Sequence, residues 1–382
     1  MKILICGADG YLGWPTCMLL SQQGHEVLAV DNYLRRRLAR ETDSEALYPT
    51  PNLQRRATLW KACTGKEVYV RIGDICEWDF ISDVFSEFKP NAVIHYAEQP
   101  SAPYSMLNRA AGSLTLTNNL VTTYNILQCM DMFCPACHLV KLGTMGEYGT
   151  PDIDIEEGWI DIEHKGRKQK FLYPRQASSL YHTTKIMDTD LIWFYVRMWN
   201  LRCTDLMQGP VYGIVTDENT EHEELYPFFN YDELFGTVVN RFVVQAVAGY
   251  PLTVYGKGGQ TRGYLNIRDT LQCVDLSLKN PPRQGQLEIY NQFVETFSVN
   301  ELAQRVSECA RNFGLQVRVQ ELPNPRIEAE EHYYNPAHSK LLELGLQPHY
   351  LNEEALGSIF SVVLKHKDAI HTDAIFRNVT WK

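Results

Sequence analysis

Short apolar runs alternate with longer amphipathic segments through the first half of the chain. The apolar runs lie at residues 3–6, 27–30, 68–70, 92–96 and 138–142. Runs of this length, separated by segments long enough to form a helix, are typical of repeated βαβ units. The pattern therefore predicts an α/β fold with a doubly wound parallel sheet that is covered by helices on both faces.

The pattern changes near Gly213. Beyond this residue the predicted strands and helices are shorter and Pro and Gly punctuate them, as in a smaller α/β substrate-binding domain. We expect one domain over residues 1–213 and a second over residues 214–382, partly interleaved with the first. Two connections are unusually long: residues 32–66 are predicted to form a helical insertion, and residues 145–176 to build part of an active-site wall.

Composition narrows the class of protein. The 382 residues are 45% hydrophobic and 21% charged, which is ordinary for a globular enzyme with two fused domains. The net charge of −10 argues against binding to nucleic acid or to an anionic membrane surface. The longest uncharged stretch, residues 110–130, contains too many polar side chains to cross a bilayer and predicts a buried helix.

The cysteines and the start of the chain bear on compartment and metal binding. No signal segment is recognised before the first strand, and ten scattered cysteines suit reduced, mostly buried thiols, so we expect a cytoplasmic protein. Cys134 and Cys137 have the spacing of a haem-attachment, redox or zinc pair. Haem attachment requires export, and no second pair completes a zinc site. A loop leading into the strand at residues 138–142 is favoured, and no metal is predicted.

A glycine-rich run after the first apolar stretch predicts a dinucleotide site. Gly7, Gly10 and Gly13 are three residues apart between a strand and a helix, which leaves room for a pyrophosphate at the positive end of the helix. Asp31 ends the second strand, where a carboxylate accepts the ribose hydroxyls of NAD and disfavours the 2′-phosphate of NADP. The three arginines at residues 35–37 could hold that phosphate, or could form a solvated basic helix face.

A second chemical motif follows the fifth predicted strand. Tyr181 and Lys185 are four residues apart and share one helix face, where the ammonium is expected to lower the pKa of the phenol. Such a tyrosine can take a proton from a sugar hydroxyl while hydride leaves the same carbon. Tyr-x-x-x-Lys also occurs by chance on surface helices. Thr144 at the end of the fifth strand and Asn118-Asn119 in the preceding helix favour the catalytic interpretation.

Longer strings point to a family. They are residues 142–151 (LGTMGEYGTP), Tyr181-His182, residues 252–264 (LTVYGKGGQTRGY), Asn324-Pro325-Arg326, and residues 328–335 (EAEEHYYN). Through them the chain resembles, over nearly its whole length, the extended short-chain dehydrogenase/reductases of the NAD-dependent epimerase/dehydratase family that act on nucleotide sugars. The resemblance is closest to the UDP-sulfoquinovose synthase family. It implies a Rossmann-type fold with a smaller C-terminal substrate domain.

The resemblance also implies a reaction. UDP-glucose and sulfite would give UDP-sulfoquinovose and water, through oxidation at C4, dehydration across C5–C6, sulfite addition at C6 and reduction at C4. NAD would be tightly bound and recycled. The sulfur could come from free sulfite or from a sulfite-delivering protein, and the product could go to a sulfolipid or to a glycan. A homodimer is expected, because the helices at residues 105–130 and 178–199 carry more apolar side chains than one sheet face can cover.

Site residues are carried over from the same resemblance. Tyr181 is the C4 acid/base, Lys185 its activator and Thr144 a partner of the same oxygen, while Glu147, Met145 and His182 lie at the site in open roles. The expected NAD contacts are Gly7, Asp9, Gly10, Tyr11, Leu12, Asp31, Asn32, Arg35, Asp74, Ile75, Ala97, Asn118, Tyr181, Lys185 and Gln208. The expected substrate contacts are Gln99, Thr144, Glu147, His182, Gln208, Thr237, Asn240, Arg241, Thr253, Tyr255, Gln260, Arg262 and Arg326.

Two departures from related patterns affect these roles. Nucleotide-sugar 4,6-dehydratases carry an Asp-Glu pair directly after the threonine, whereas this chain has Met145-Gly146 and places a Glu at 147. The shift is characteristic of the sulfite-using family and leaves the handling of the C5 proton and the C6 hydroxyl open. Pro100 stands where plant members have Arg; if that Arg helps to hold sulfite or a sulfur donor, this chain must use another residue, with His182 or Arg109 as candidates.

Other functions remain open at this point. A nucleotide-sugar 4-epimerase or 4,6-dehydratase would share every cofactor and UDP contact. A catalytically silent NAD-sensing or scaffold protein is a further alternative. The presence of Thr144, Tyr181 and Lys185 together argues against a silent protein, because loss of chemistry usually removes one of them.

Overall fold

The computed structural model describes residues 1–44, 46–324 and 333–375. In chain order the strands are β1 Lys2–Cys6, β2 Glu26–Asp31, β3 Val68–Ile72, β4 Ala92–His95, β5 His138–Thr144, β6 Trp159–His164, β7 Arg167–Leu172, β8 Arg202–Gln208, β9 Val211–Tyr212, β10 Leu252–Tyr255, β11 Thr261–Asn266, β12 Leu287–Gln292, β13 Glu295–Ser298 and β14 Val319–Leu322. The α-helices are α1 Gly13–Gln22, α2 Leu34–Glu41, α3 Leu53–Thr64, α4 Trp78–Phe88, α5 Ala102–Ser105, α6 Arg109–Phe133, α7 Leu180–Trp199, α8 Val238–Ala248, α9 Ile267–Lys279, α10 Val299–Asn312, α11 Lys340–Glu343, α12 Glu353–Lys365 and α13 Thr372–Ile375.

The centre of the molecule is a seven-stranded sheet with the order β12-β8-β5-β4-β1-β2-β3. Every neighbouring pair in it is parallel. The strand order reverses direction between β1 and β4, which is the place where a doubly wound sheet opens a crevice at the carboxyl ends of its strands. The predicted α/β fold with a doubly wound parallel sheet is confirmed.

The two faces of the sheet bury different side chains, because successive residues of a strand point to opposite sides. In β1, Leu4 packs with apolar residues of α4, α6 and α7. Its neighbours Ile3 and Ile5 pack with apolar residues of α1, α3 and α9 on the other side. All three side chains are fully buried. A strand covered on both faces is why the sequence of β1 is a continuous apolar run rather than an alternating one.

The longest helix is α6, which contains the whole segment, residues 110–130, that the sequence predicts to be a buried helix. It begins after Asn108, whose side chain accepts a hydrogen bond from the Ala111 backbone N–H, and it packs along α7. Polar groups on its inner side pair with neighbouring elements; Asn125, for example, donates to the Ile75 carbonyl at 2.9 Å. The outer side of the α6–α7 pair exposes large apolar residues, namely Tyr124, Met187, Phe194, Met198 and Trp199.

The second half of the chain forms a smaller unit and also returns to the main sheet. The smaller unit contains the parallel pair β10–β14, the sheet β13-β11-β9 and a core built by α8, α10 and α12. The return consists of β12, which pairs with β8 over residues 287–292, and of α9, which packs beside α1. Residues 159–172 form an exposed antiparallel hairpin, β6–β7. Of the described residues, no helix has the length and apolar character needed to cross a membrane.

Candidate active site

A cavity of about 790 Å³ lies between the carboxyl ends of the central strands and the smaller unit. Its wall includes most residues that the sequence predicts to bind cofactor or substrate. These are Gly7, Gly10, Tyr11, Leu12, Asp31, Asn32, Arg35, Asp74, Ile75, Ala97, Asn118, Thr144, Met145, Tyr181, His182, Gln208, Thr237, Asn240, Arg241, Thr253, Tyr255, Gln260 and Arg262. Arg326 lies outside the described residues. The other exceptions are Asp9, Gln99, Glu147 and Lys185.

The glycine-rich loop fits a dinucleotide because its backbone approaches neighbouring backbone too closely for any side chain. A Cβ on Gly7 would lie 2.6 Å from the Tyr96 carbonyl carbon, and the φ of Gly7 is +84°. A Cβ on Gly13 would lie 2.1 Å from the Gly7 carbonyl oxygen. The loop therefore brings the first turn of α1 up against the end of β1, at the edge of the cavity. This close approach suits a pyrophosphate of NAD.

Asp31 lies at the end of β2, at the position expected for a ribose ligand. Its Oδ2 accepts the Asp9 backbone N–H at 2.9 Å and its Oδ1 accepts the Tyr33 backbone N–H at 2.6 Å. Burial and the nearby Asp9 carboxylate raise the pKa of Asp31 to about 6, although the two backbone donors oppose this. The carboxylate is thus oriented for ribose hydroxyls and is charged at neutral pH.

The structure does not bring the Asp9 side chain to the cavity wall. Asp9 is 2% exposed and is bound by two arginines of the insertion. Arg36 contacts it with Nε at 2.5 Å and Nη2 at 2.8 Å, and Arg56 contacts it with Nη2 at 2.5 Å. Sequence reasoning missed this because both arginines are far from Asp9 in the chain. The backbone N–H of Asp9 donates to Asp31, and its side chain ties the glycine-rich loop to α2 and α3.

The three consecutive arginines have three different environments, so the interpretation as a solvated basic face is wrong for two of them. Arg35 lies on the cavity wall, with its guanidinium 3.3 Å from the centre of the Phe235 ring and Nη2 donating to Asn230 at 2.7 Å. Burial lowers the pKa of Arg35 to about 9. Arg36 holds Asp9, and only the Arg37 side chain, 54% exposed, is at the surface. Arg35 is thus a half-buried cation on the wall, where a phosphate or a ribose can reach it.

The predicted catalytic side chains meet at the end of β5 and the start of α7. Thr144, Met145, Tyr181 and His182 all reach the wall. Ser179 caps α7 by accepting a hydrogen bond from the His182 backbone N–H, which fixes where the first turn begins. Tyr181 and His182 then lie side by side, with ring centres 5.3 Å apart.

The Lys185 ammonium is turned away from the wall. It lies 5.9 Å from the centre of the Tyr181 ring, donates to the Leu142 carbonyl at 2.6 Å and pairs with Glu98 Oε2 at 2.5 Å. The expected lowering of the tyrosine pKa is therefore wrong for this structure: burial, and next the Glu98 carboxylate, raise the pKa of Tyr181. Helical spacing placed Lys185 correctly on the Tyr181 side of α7, but it carried no information about Glu98, which is a wall residue from the loop after β4.

Glu147 does not reach the wall either, because it is fully buried in a network of charges. Its Oε1 accepts the Thr144 backbone N–H at 3.2 Å and lies 3.5 Å from Lys141 Nζ. Its Oε2 lies 3.6 Å from Arg175 Nη1. Together with Thr144 it forms a capping box around the short turn at residues 145–147. Glu147 thus positions the Thr144–Met145 backbone and presents no acid to a substrate.

Gly146 makes room for His182. A Cβ on residue 146 would lie 2.4 Å from His182 Nε2. The other ring nitrogen, Nδ1, is 3.2 Å from Ser178 Oγ. A glycine at this position therefore lets the imidazole edge stand against the backbone after Thr144, inside the cavity. Arg109, the other candidate for sulfite, is exposed at the start of α6 and is not on the wall.

Gln99 is also absent from the wall, since its side chain is used within its own loop. The amide is 1% exposed and donates to the Ser101 carbonyl at 3.0 Å and to Thr115 Oγ1 at 2.9 Å. Its backbone N–H donates to Asn119 Oδ1 at 2.8 Å. Gln99 therefore shapes the loop that carries Glu98, and Pro100 takes a place on the wall beside it.

The far half of the cavity belongs to the smaller unit. The Tyr255 hydroxyl donates to Glu233 Oε1, and Arg241 Nη2 lies 3.5 Å from the same oxygen. Asn240 Nδ2 donates to the Tyr11 hydroxyl at 3.2 Å, which joins α8 to the glycine-rich loop. Glu233 was missed by sequence reasoning, because nothing in a loop with several acids marks one of them as facing a tyrosine and an arginine. The set can bind a planar base and a diphosphate.

Comparisons with known proteins agree with this geometry. A model of the NAD dependent epimerase/dehydratase family matches residues 3–291. The chloroplastic UDP-sulfoquinovose synthase of Spinacia oleracea is 49% identical over 381 residues, covering 100% of this chain and 79% of the relative. The UDP-sulfoquinovose synthase of Sulfolobus acidocaldarius is 45% identical over 349 residues, covering 91% and 88%. The structure of UDP-glucose 4-epimerase from Bifidobacterium longum with NAD+ and UDP superposes with a TM-score of 0.72 at 19% identity, covering 97% and 100%, which is a likeness of fold.

Proposed function

Because this chain belongs to the NAD dependent epimerase/dehydratase family and, within it, to the UDP-sulfoquinovose synthases, we propose that it converts UDP-glucose and sulfite to UDP-6-sulfo-6-deoxyglucose and water. The observation that carries the choice of reaction is the wall at residues 144–147. Thr144 and Met145 face the cavity while Glu147 is withdrawn into a buried charge network. Nucleotide-sugar 4,6-dehydratases carry an Asp-Glu pair at this place, whereas here the His182 ring stands on the wall beside Met145 and Gly146.

In this proposal the glycine-rich loop, Asp31 and Arg35 hold the cofactor. NAD, when bound, supplies the hydride acceptor for C4 and returns the hydride at the end of the cycle. The Tyr181 phenolate takes the C4 hydroxyl proton in the first step, and the phenol so formed gives it back in the last. Thr144 donates a hydrogen bond to the same sugar oxygen, and Lys185 sets the charge beside the phenol.

The middle steps change C5 and C6 of the sugar. Oxidation at C4 makes the C5 hydrogen acidic, and loss of that proton with the C6 hydroxyl releases one water and leaves a C5–C6 double bond conjugated to the ketone. Sulfite sulfur then forms a bond to C6 while C5 regains a proton. This addition needs no oxidant or reductant, so the only redox steps are the oxidation and reduction at C4. His182 is the side chain on the wall that can protonate the leaving hydroxyl or receive sulfite.

Binding of the UDP portion is assigned to the smaller unit. Tyr255 supports the uracil, while Arg241 and Arg262 face the diphosphate from the same wall. Thr237, Thr253 and Gln260 line the path around them. Arg326 completes the set by resemblance alone. We retain the division at Gly213 as a proposal for the boundary between the NAD and UDP-sugar domains.

The assembly and location are proposals as well. The apolar outer side of α6 and α7 supports a homodimer, since single monomers seldom expose a patch of this kind. Light scattering at micromolar concentration should give the mass of two chains, and a single-chain mass would refute the dimer. We place the protein in the cytoplasm, and free sulfite or a sulfite-delivering protein as the sulfur donor.

A comparison of reactions with and without sulfite tests the proposed function. The purified protein with NAD and UDP-glucose in deuterated water, without sulfite, should exchange the C5 hydrogen or accumulate reduced cofactor, and release little 4-keto-6-deoxy sugar. Adding sulfite should give a product with the mass of UDP-sulfoquinovose and no net consumption of NAD. Product formed with sulfite alone identifies free sulfite as the donor, whereas a requirement for cell extract points to a delivering protein.

Two outcomes contradict the proposal. Release of UDP-galactose, unaffected by sulfite, would make the chain a 4-epimerase. Release of the 4-keto-6-deoxy sugar, also unaffected by sulfite, would make it a 4,6-dehydratase. Both alternatives use the same cofactor and UDP contacts, so only the products separate them.

A further inference from the structure

Glu98 is a buried carboxylate on the cavity wall that the reaction scheme above does not use. Its side chain is 3% exposed, and Oε2 lies 2.5 Å from Lys185 Nζ, whose side chain is 4% exposed. Its other oxygen, Oε1, lies 3.6 Å from Nε2 of His95. Burial, and next the Lys185 and Lys141 ammonium groups, lower the pKa of His95 well below its usual value, so His95 is neutral and Lys185 is the cation that balances Glu98.

The backbone around this pair is fixed from two sides by one residue. Asn119 Oδ1 accepts the Gln99 backbone N–H at 2.8 Å, and Asn119 Nδ2 donates to Thr184 Oγ1 at 3.0 Å. Gln99 is the neighbour of Glu98, and Thr184 is the neighbour of Lys185. The ion pair therefore rests on two segments that α6 holds at a set separation, which is how an active-site group is kept in one geometry.

We propose that Glu98 is a positioning residue that holds the Lys185 ammonium at the ends of β4 and β5 and thereby limits how strongly Lys185 activates the Tyr181 phenol. The inference rests on the acid/base role proposed above for Tyr181. The reaction needs both forms of the side chain: a phenolate must accept the C4 hydroxyl proton during oxidation, and the resulting phenol must return that proton when C4 is reduced. A lone ammonium beside the ring favours the phenolate, and a paired ammonium favours it less.

Other titratable groups also surround Tyr181, Lys185 and Glu98 and act on their charges. They are His95 on β4, Lys141 on β5, Glu147 after β5, Asp188 on α7 and Asp205 on β8, with Arg175 behind Glu147. Burial, and next the Glu98 carboxylate, raise the pKa of Asp188 well above its usual value. Three carboxylates around Tyr181 raise the pKa of its phenol: Glu98, Glu147 and Asp188. Glu98 has the largest effect of the three.

The direct test follows the ionisation of Tyr181 in the protein loaded with NAD, without any sugar nucleotide. The phenolate absorbance of Tyr181 is isolated by subtracting a Tyr181→Phe variant at each pH. The isosteric Glu98→Gln variant, compared with its own Tyr181→Phe double variant, should ionise at least about one pH unit lower. Lys185→Met should shift the ionisation to higher pH. Glu98→Asp keeps the charge and should restore most of the wild-type position.

A matched control removes a different buried carboxylate. Glu157 is 7% exposed, accepts the Asn291 backbone N–H at 2.9 Å and is not on the cavity wall. Glu157→Gln should leave the Tyr181 ionisation where it is. NAD binding measured by calorimetry verifies that each variant is folded. If Glu98→Gln does not fold, Glu98→Asp serves as the test. Its shorter side chain weakens the ion pair with Lys185, so Tyr181 should ionise at a slightly lower pH than in the wild type, and a shift to higher pH would overturn the inference.

The result that overturns the inference is an unchanged or upward-shifted ionisation in Glu98→Gln, or no phenolate signal at any pH at which that variant stays folded. A second measurement, the pH profile of reduced-cofactor formation on mixing with UDP-glucose, should move its acidic limb to lower pH in the same variant. If the wild type with UDP-glucose neither accumulates reduced cofactor nor exchanges the C5 hydrogen, the proposed function fails, while the Tyr181 titration still decides the role of Glu98.

Discussion

Replacing Asp9 by Asn tests whether the glycine-rich loop depends on the helical insertion that binds it. The Asp9 carboxylate receives two contacts from Arg36, at 2.5 and 2.8 Å, and one from Arg56, at 2.5 Å. The Arg56 side chain is fully buried, whereas the Arg36 side chain is 21% exposed and also donates to the Thr50 and Pro51 carbonyls. Removing the carboxylate therefore leaves one guanidinium, that of Arg56, buried without its counter-charge.

The magnitude follows from that burial. Breaking a buried ion pair by removing one partner costs about 3–5 kcal/mol of unfolding free energy. Since Arg36 keeps other acceptors and some water, only Arg56 is stranded, and we expect a loss near the lower end, about 3 kcal/mol. The control is Glu67→Gln. Its Lys61 partner is 2.7 Å away, but both side chains are largely in water, so the same chemical change should hardly alter stability.

Urea unfolding of the NAD-free protein, followed by tryptophan fluorescence, measures both variants. The double variant Asp9→Asn with Arg56→Met should regain part of the loss, because the stranded charge is gone. NAD affinity measured by calorimetry should fall in Asp9→Asn, since the loop and the Asp9 N–H bond to Asp31 lose their anchor. The reasoning is refuted if Asp9→Asn is no less stable than Glu67→Gln, or if removing Arg56 worsens the loss.

Three further predictions concern the cofactor and the chemistry. Because the pKa of Asp31 is raised to about 6, the affinity for NAD should fall as the pH drops through that value. Calorimetry on Asp31→Asn should show weaker binding that does not depend on pH. A wild-type affinity that stays constant down to pH 5 would contradict this prediction. Tyr181→Phe should bind NAD and UDP-glucose normally but form no reduced cofactor, and near-normal turnover would remove Tyr181 from its role. Gly146→Ala should push His182 from its place, because the new Cβ would lie 2.4 Å from Nε2, and should slow sulfite addition about 100-fold while C5 exchange continues; equal loss of both would mean a general distortion.

The fold was predictable because its signals are local. The apolar run at residues 3–6 and Gly7 indicate a strand followed by a tight turn, and both are where the structure has them. Helical spacing likewise places Tyr181 and Lys185 on one helix. Each of these inferences needs only a few neighbouring residues, so propensity and periodicity are sufficient.

The expectations that proved wrong depend on contacts between residues that are distant in the sequence. The pKa of Tyr181 moves upward because of burial and of Glu98, which is distant in sequence and indistinguishable from a surface glutamate. Asp9 forms an ion pair with Arg56 and does not reach the cavity, and Glu147 likewise pairs with Lys141. Both pairs form because a buried cation needs a neighbouring carboxylate to offset the cost of its burial. Such pairings are decided by packing between remote segments, and a single sequence carries no local mark of them.

The pairing of β12 with β8 has a consequence for how the chain is made. Residues 209–286 separate the two strands, and Gln208 Nε2 donates to Gln292 Oε1 at 3.1 Å at the carboxyl end of the pair. While the chain leaves the ribosome, β8 is an unpaired edge of an apolar sheet until residue 292 has emerged, which exposes it to aggregation. A gene fragment that stops at Gly213 would therefore encode a central sheet without β12, so we expect residues 1–213 to fold stably only together with the rest of the chain.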